Sequence, residues 1–147
     1  MSGKARRRQL ATLLRIRRLE EDLAKGELAA ANARIRAAHD RLSLAQENYQ
    51  REVTPPESCD VNRFRAHLAH STSAAAMVRG AERGITTAES EADEVRDKVR
   101  LARIKSQGLE RLVERVDAAA FAESLAADQR TAEESRAGVY TKGRHGR

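Results

Sequence analysis

Thr54-Pro55-Pro56-Glu57-Ser58 decides the fold, because it forces a chain otherwise built for helix out of helical geometry. The two prolines remove amide donors, and Pro55 pushes Thr54 away from the α region. Asp60 then suits the N-cap of a new helix, its carboxylate accepting from free amides of the first turn. Upstream, from about Ala5 to Val53, there is no Pro and Gly26 is the sole glycine. Downstream, no Pro occurs as far as Ala137, and Gly138, Gly143 and Gly146 predict a flexible basic tail over 138–147.

On either side of this break the apolar residues recur with a period near 3.5. In the first tract Leu28, Ala31, Ile35, Ala38, Leu42, Ala45 and Tyr49 step alternately by three and four. Ahead of them, Ile16, Leu19 and Leu23 form a similar stripe in a different phase, which predicts a local stutter near Lys25. The second tract carries Phe64, His67, Ser71, Ala74, Val78, Ala81, Ile85, Ala88, Ala92, Val95, Val99, Ala102, Ser106, Leu109, Val113, Val116 and Ala120. Fourteen of these seventeen positions are apolar, in the spacing of a coiled-coil seam and not of a strand. So many alanines let two helix axes approach closely. The expected fold is all-α: a long antiparallel two-stranded coiled-coil hairpin forming a single domain over 1–147.

The two tracts differ in length. Residues 5–53 would make a helix of roughly 73 Å and 61–137 one of roughly 115 Å. Gly80 and Gly84 each cost about 1 kcal/mol in a helix interior. The glycine pair therefore predicts a bend, with a short tip helix over about 61–79 and a helix over about 85–136 that matches the first. An unbroken second helix that overhangs its partner is the alternative, supported by the continuity of Val78, Ala81 and Ile85.

Composition separates this chain from a compact globular domain. Its large aromatic and Met residues are Phe64, Phe121, Tyr49, Tyr140, Met1 and Met77, Trp is absent, and 34% of residues are charged. Wealth in Ala, Glu, Leu, Arg and Lys is typical of long paired helices. The formal charge is +6, and the ends hold a disproportionate share of it. Residues 1–18 carry Lys4, Arg6, Arg7, Arg8, Arg15, Arg17 and Arg18 with no acid. Residues 137–147 carry Lys142, Arg144 and Arg147 with none either. A hairpin brings both basic ends to one base, suited to an acidic protein surface, nucleic acid or an anionic membrane. Cys59 is the single cysteine, which fits a reducing compartment. No apolar run is long enough for a signal peptide or a membrane span, so a cytoplasmic protein is expected.

No catalytic constellation is present. Cys59, His67 and His70 fall short of the four-ligand spacing of a structural zinc site, and no phosphate-binding Gly loop or nucleophile elbow occurs. Paired acids such as Glu20-Glu21 and Glu133-Glu134 lie on helices laced with Arg, where exposed ion pairs account for them. The expectation is a protein that is not an enzyme and uses no cofactor or metal. The basic termini have no interleaved aromatics, so nucleic acid is not expected as a partner. Phe64 and Leu68, four apart at the tip with Tyr49 across the turn, either cap the coiled coil's own end or anchor a partner.

Further along the second helix the motifs become specific. Leu112-Val113-Glu114-Arg115 is followed, thirteen residues after Arg115, by Asp128-Gln129-Arg130-Thr131-Ala132-Glu133-Glu134. These segments resemble the L-x-E-R and D-Q-x-x-x-[DE]-E signatures of the FliJ family of the flagellar type III export apparatus. The placement of Tyr49-Gln50, the short turn, Phe64 and Leu68 is similar to that family as well. The resemblance implies a non-enzymatic stalk, similar in fold to the two-helix stalk of the rotary F-type ATPase γ subunit. It would bind and stimulate the hexameric export ATPase (FliI), contact the export gate protein (FlhA) and handle export chaperones.

By the same resemblance, Arg6, Arg7, Arg8, Glu114, Arg115, Asp128, Gln129, Glu133 and Glu134 would face the ATPase. Tyr49, Phe64 and Leu68 would face the gate or chaperones. The protein would then be peripheral at the inner face of the cell membrane through its partners. The residues themselves leave two other readings open. One is a coiled-coil adaptor of another secretion system or a cytoskeletal scaffold, and the other is a basic nucleic-acid-binding coiled coil.

Overall fold

The computed structural model describes residues 2–144. Two helices, α1 (Gly3–Val53) and α2 (Val61–Arg144), form an all-α fold with no strand among the described residues. The helices pack against each other antiparallel. Between them, 54–60 is non-helical, where the prolines require it. Thr54 closes α1 by donating its hydroxyl to the Gln50 carbonyl at 3.2 Å. Asp60 opens α2: its Oδ1 accepts from the Arg63 amide at 2.8 Å, and its carbonyl accepts from Phe64 at 3.0 Å. That is the expected N-cap. A second cap was not anticipated from sequence, since Ser2 accepts from the Ala5 amide through Oγ at 3.3 Å.

Two compact units make up the chain, Glu20–Ala102 in one and Met1–Leu19 with Arg103–Arg147 in the other. In the first unit the seam follows the sequence stripe. Ala31 and Ala92 are fully buried, with Ala24, Ala38, Ala45, Ala74, Ala88 and Val99 nearly so. Leu28, Ile35, Leu42 and Tyr49 of α1 alternate with these alanines and are half-buried, as are Val78, Ala81, Ile85 and Val95 of α2. Larger residues thus straddle the edge of a floor made by small ones. Arg34 meets Glu91 across the helices at 3.8 Å.

In the second unit Leu14 and Ser106 are buried, and Leu10, Leu109, Val113, Val116 and Ala120 are half-buried. The Ser106 hydroxyl donates to the Arg103 carbonyl at 3.1 Å, which allows a polar residue at a seam position.

Three expectations from sequence require correction. The first is the phase of the early stripe: Ile16, Leu19 and Leu23 are 46%, 57% and 70% exposed. The inward positions are instead Leu10, Leu14, Arg17, Glu21, Ala24 and Leu28, which continue the later stripe without a stutter. The reason lies in α2, whose stripe keeps its 3.5 period through Val95, Val99, Ala102, Ser106 and Leu109. Only α1 positions in the same unbroken period can face it. Arg17 tolerates this because a long apolar stem can be covered while its head reaches water. Glu21 does so with Lys25 3.2 Å away.

The second correction is the bend. α2 is continuous through Gly80 and Gly84, so the separate tip helix over 61–79 does not form. Both glycines keep ordinary helical φ. A break would cost the inward packing of Val78, Ala81, Ile85 and Ala88, which outweighs about 1 kcal/mol per glycine. The third concerns the tail, because α2 also runs through Gly138 and Gly143 to Arg144. The remaining residues of the tail expected over 138–147, Arg147 among them, lie outside the described residues. The length mismatch is therefore met by the overhang: every residue from 127 to 143 is exposed.

Two substitutions test this packing by denaturant unfolding. Gly84 has open space where a Cβ would sit, so Gly84→Ala is expected to raise stability by about 1 kcal/mol; a loss would argue for a bend. Ala92→Leu, at a fully buried seam position, is expected to cost about 1–3 kcal/mol by overpacking.

Candidate functional site

The unit that holds both chain ends begins with a helix start of unusual charge. The first turn of α1 contains no acidic residue, and Lys4, Arg6, Arg7 and Arg8 crowd the end where the helix dipole is positive. Cations there are disfavoured by roughly 0.3–1 kcal/mol each. Part of that penalty is offset from α2. Arg7 donates from Nε to Asp117 Oδ1 at 2.8 Å, and its Nη2 lies 2.8 Å from the same oxygen. About three helical turns further along α1, Arg18 donates to Glu110 Oε1 from Nη2 at 2.9 Å and from Nε at 3.2 Å. Neither acid was singled out by sequence reading. A basic residue and an acid more than ninety positions apart give no local signal, and only the antiparallel register joins them.

Arg7 therefore has a structural partner, whereas Arg6 and Arg8 are exposed and make no ion pair among the described residues. Glu114 and Arg115 lie within a turn of Asp117 and are exposed as well. On α2, Glu114 lies about 60° round the helix from Asp117, whereas Arg115 projects from nearly the opposite side. Asp128, Gln129, Glu133 and Glu134 are also exposed but stand three to five turns further along α2, in the stretch with no covering from α1. The nine residues proposed from sequence thus form two groups, one at the paired base and one on the bare helix. Glu114 and Asp128 are fourteen residues apart, about four turns and about 21 Å, which places them on nearly one face.

Grooves run beside this base. One of about 610 Å³ is lined by Lys4, Arg6, Arg7, Val116, Glu123 and Ala127 among others. Another, of about 270 Å³, is lined by Leu13, Arg17, Lys105, Gly108, Leu109 and Leu112. Leu112, which opens the first signature, is 39% exposed there, and Leu13 is 41% exposed. Sequence reading passed over Leu13, whose exposure follows from the corrected register.

In the other unit Tyr49 is half-buried in the seam, while Phe64 and Leu68 remain 47% and 48% exposed. Phe64, expected at the start of the seam, is the one member of its stripe that is exposed. Both side chains keep about half their surface available, which suits an apolar contact with another molecule. Cys59 is exposed in the turn, and His67 is half-buried on the seam with His70 exposed beside it. Among the described residues no helix is long and apolar enough to cross a membrane.

The Arg7–Asp117 pair is half-exposed on both sides, so a double-mutant cycle with Arg7→Ala and Asp117→Ala should give a coupling of about 0.2–1 kcal/mol. A zero coupling would release Arg7 for the partner-facing role.

Among known proteins, the family described as the flagellar FliJ protein matches residues 6–140. No curated protein and no solved structure matches the chain significantly.

Proposed function

The chain belongs to the FliJ family, and from that premise we propose that it is the stalk that couples the flagellar export ATPase to the export gate. Membership makes it a component of the flagellar type III protein export apparatus, in a family that is not catalytic. The finer reading is that its paired base binds the hexameric ATPase (FliI) and raises its turnover. Arg6, Arg8, Glu114 and Arg115 would make those contacts, with Asp128, Gln129, Glu133 and Glu134 on the overhanging helix and Arg7 held partly by Asp117. Phe64 and Leu68, with Tyr49 behind them, would meet the gate protein (FlhA) or export chaperones. The protein would be cytoplasmic and peripheral to the membrane through these partners.

The observation that carries the reading is the match over residues 6–140, which includes both signatures of α2 and the basic start of α1. Two further features support it. Cations are concentrated at a helix end where they cost stability, which is reasonable when a partner supplies the compensating acids. Residues 127–143 are exposed on all sides, leaving a helix that an enclosing partner could surround.

The test is co-purification with the cognate ATPase together with a hydrolysis assay. The chain is expected to bind and to stimulate hydrolysis, and Arg115→Glu to weaken binding by about 10-fold, or about 1.4 kcal/mol. Absence of binding and stimulation, with Arg115→Glu indistinguishable from the parent, would sink the proposal.

A further inference from the structure

The unit Glu20–Ala102 has an open flank beside its seam. A groove of about 510 Å³ runs along it, with Ala38, Ala45 and Ala81 as its floor and Leu44 and Met77 as its walls. Leu44 is 64% exposed and Met77 59%, although both are large and apolar. The walls are interrupted at Gly80 and Gly84, one turn apart. At Gly84 nothing lies within 4 Å of where a Cβ would be, and at Gly80 the nearest atom is the end of the Arg83 side chain at 3.7 Å. The α2 wall is therefore open where any other residue would narrow it. The seam does not need this opening, since Gly84 is itself exposed.

Two guanidinium groups stand at the groove. Arg41 lines the groove from α1, and the end of the Arg83 side chain stands beside Gly80 on α2, 3.7 Å from where a Cβ there would be. Both side chains are exposed, and neither makes an ion pair among the described residues. Arg7, Arg18 and Arg34, by contrast, are paired across the helices with Asp117, Glu110 and Glu91. An apolar trough with two unmatched guanidinium groups beside it suits an amphipathic helix that offers large aliphatic side chains flanked by carboxylates. A second copy of this chain fits less well. A two-fold contact through this face would set Arg41 and Arg83 against the same two arginines, and like charges oppose such pairing.

We infer that the groove of Leu44, Met77, Gly80 and Gly84 docks an acidic amphipathic helix of another protein, with Arg41 and Arg83 reading its carboxylates. The surface is separate from the apolar tip. Leu68 and Met77 are nine residues apart, two and a half turns, and so project from opposite sides of α2. The inference does not rest on the ATPase-coupling role. Met77 is suited to the task, because a flexible thioether adapts to different aliphatic partners.

The probe is a synthetic helical peptide with leucines at i and i+4 flanked by glutamates, labelled for fluorescence anisotropy against the full chain. A peptide with lysines in place of the glutamates is the control. The glutamate peptide is expected to bind and the lysine peptide not to. Gly84→Leu, which fills the opening, is expected to weaken binding at least about 10-fold, and so is the pair Arg41→Glu with Arg83→Glu. Leu is a better helix former than Gly, so circular dichroism should show Gly84→Leu folded and no less stable than the parent. Equal binding of the two peptides, or parental binding by the variants, would overturn the inference. Sedimentation of the chain alone provides the last arm: a dimer that Gly84→Leu dissolves would assign the groove to a second copy instead.

Discussion

Everything in this structure depends on close approach of two helix axes over alanine. Ala31, Ala38, Ala45, Ala74, Ala88 and Ala92 are the deepest residues of their unit, and no aromatic side chain joins them there. Each contributes little by itself, since a buried methyl-sized group is worth only about 0.8 kcal/mol. Stability must then come from many repeated layers, and repetition demands a constant period. The half-buried leucines, isoleucines and valines extend each layer outward without filling it from within.

That constant period explains the residues that look misplaced. Arg17 and Glu21 occupy inward positions while Ile16, Leu19 and Leu23 face outward. Read as separate side chains, the exchange is unfavourable. In an antiparallel pair, however, α1 cannot change phase alone without facing polar positions of α2. One charged layer costs less than a break in the register of all the others. The consequence reaches the surface, because apolar side chains that could have filled the seam are left exposed.

The same logic separates holding residues from meeting residues. Asp117 and Glu110 hold Arg7 and Arg18 across the helices, while Arg6, Arg8 and Arg115 have no such tie among the described residues. Gly80 and Gly84 serve neither the turn nor the seam, and their effect is an opening in an otherwise continuous wall. A two-helix fold has no deep interior in which to place a site. The recognition surfaces proposed for it accordingly use departures from the repeat: unmatched charge, missing side chains and a helix end that α1 does not cover.

The sequence by itself determined the two helices, the turn between them, the Asp60 cap and seam positions from Leu28 to Tyr49 and from His67 to Ala120. Periodicity, proline and capping chemistry act within a few residues, so they can be read locally. The family could also be read, from Leu112 to Arg115 and Asp128 to Glu134. Only the tertiary structure decided the phase of α1 before Leu28, the continuity of α2 at Gly80 and Gly84, and the pairing of Arg7 with Asp117. In each case a local preference, for apolar burial, for a break at glycine or for a nearby acid, was opposed by a partner helix distant in sequence. The register of that partner could not be known until the two helices were placed together.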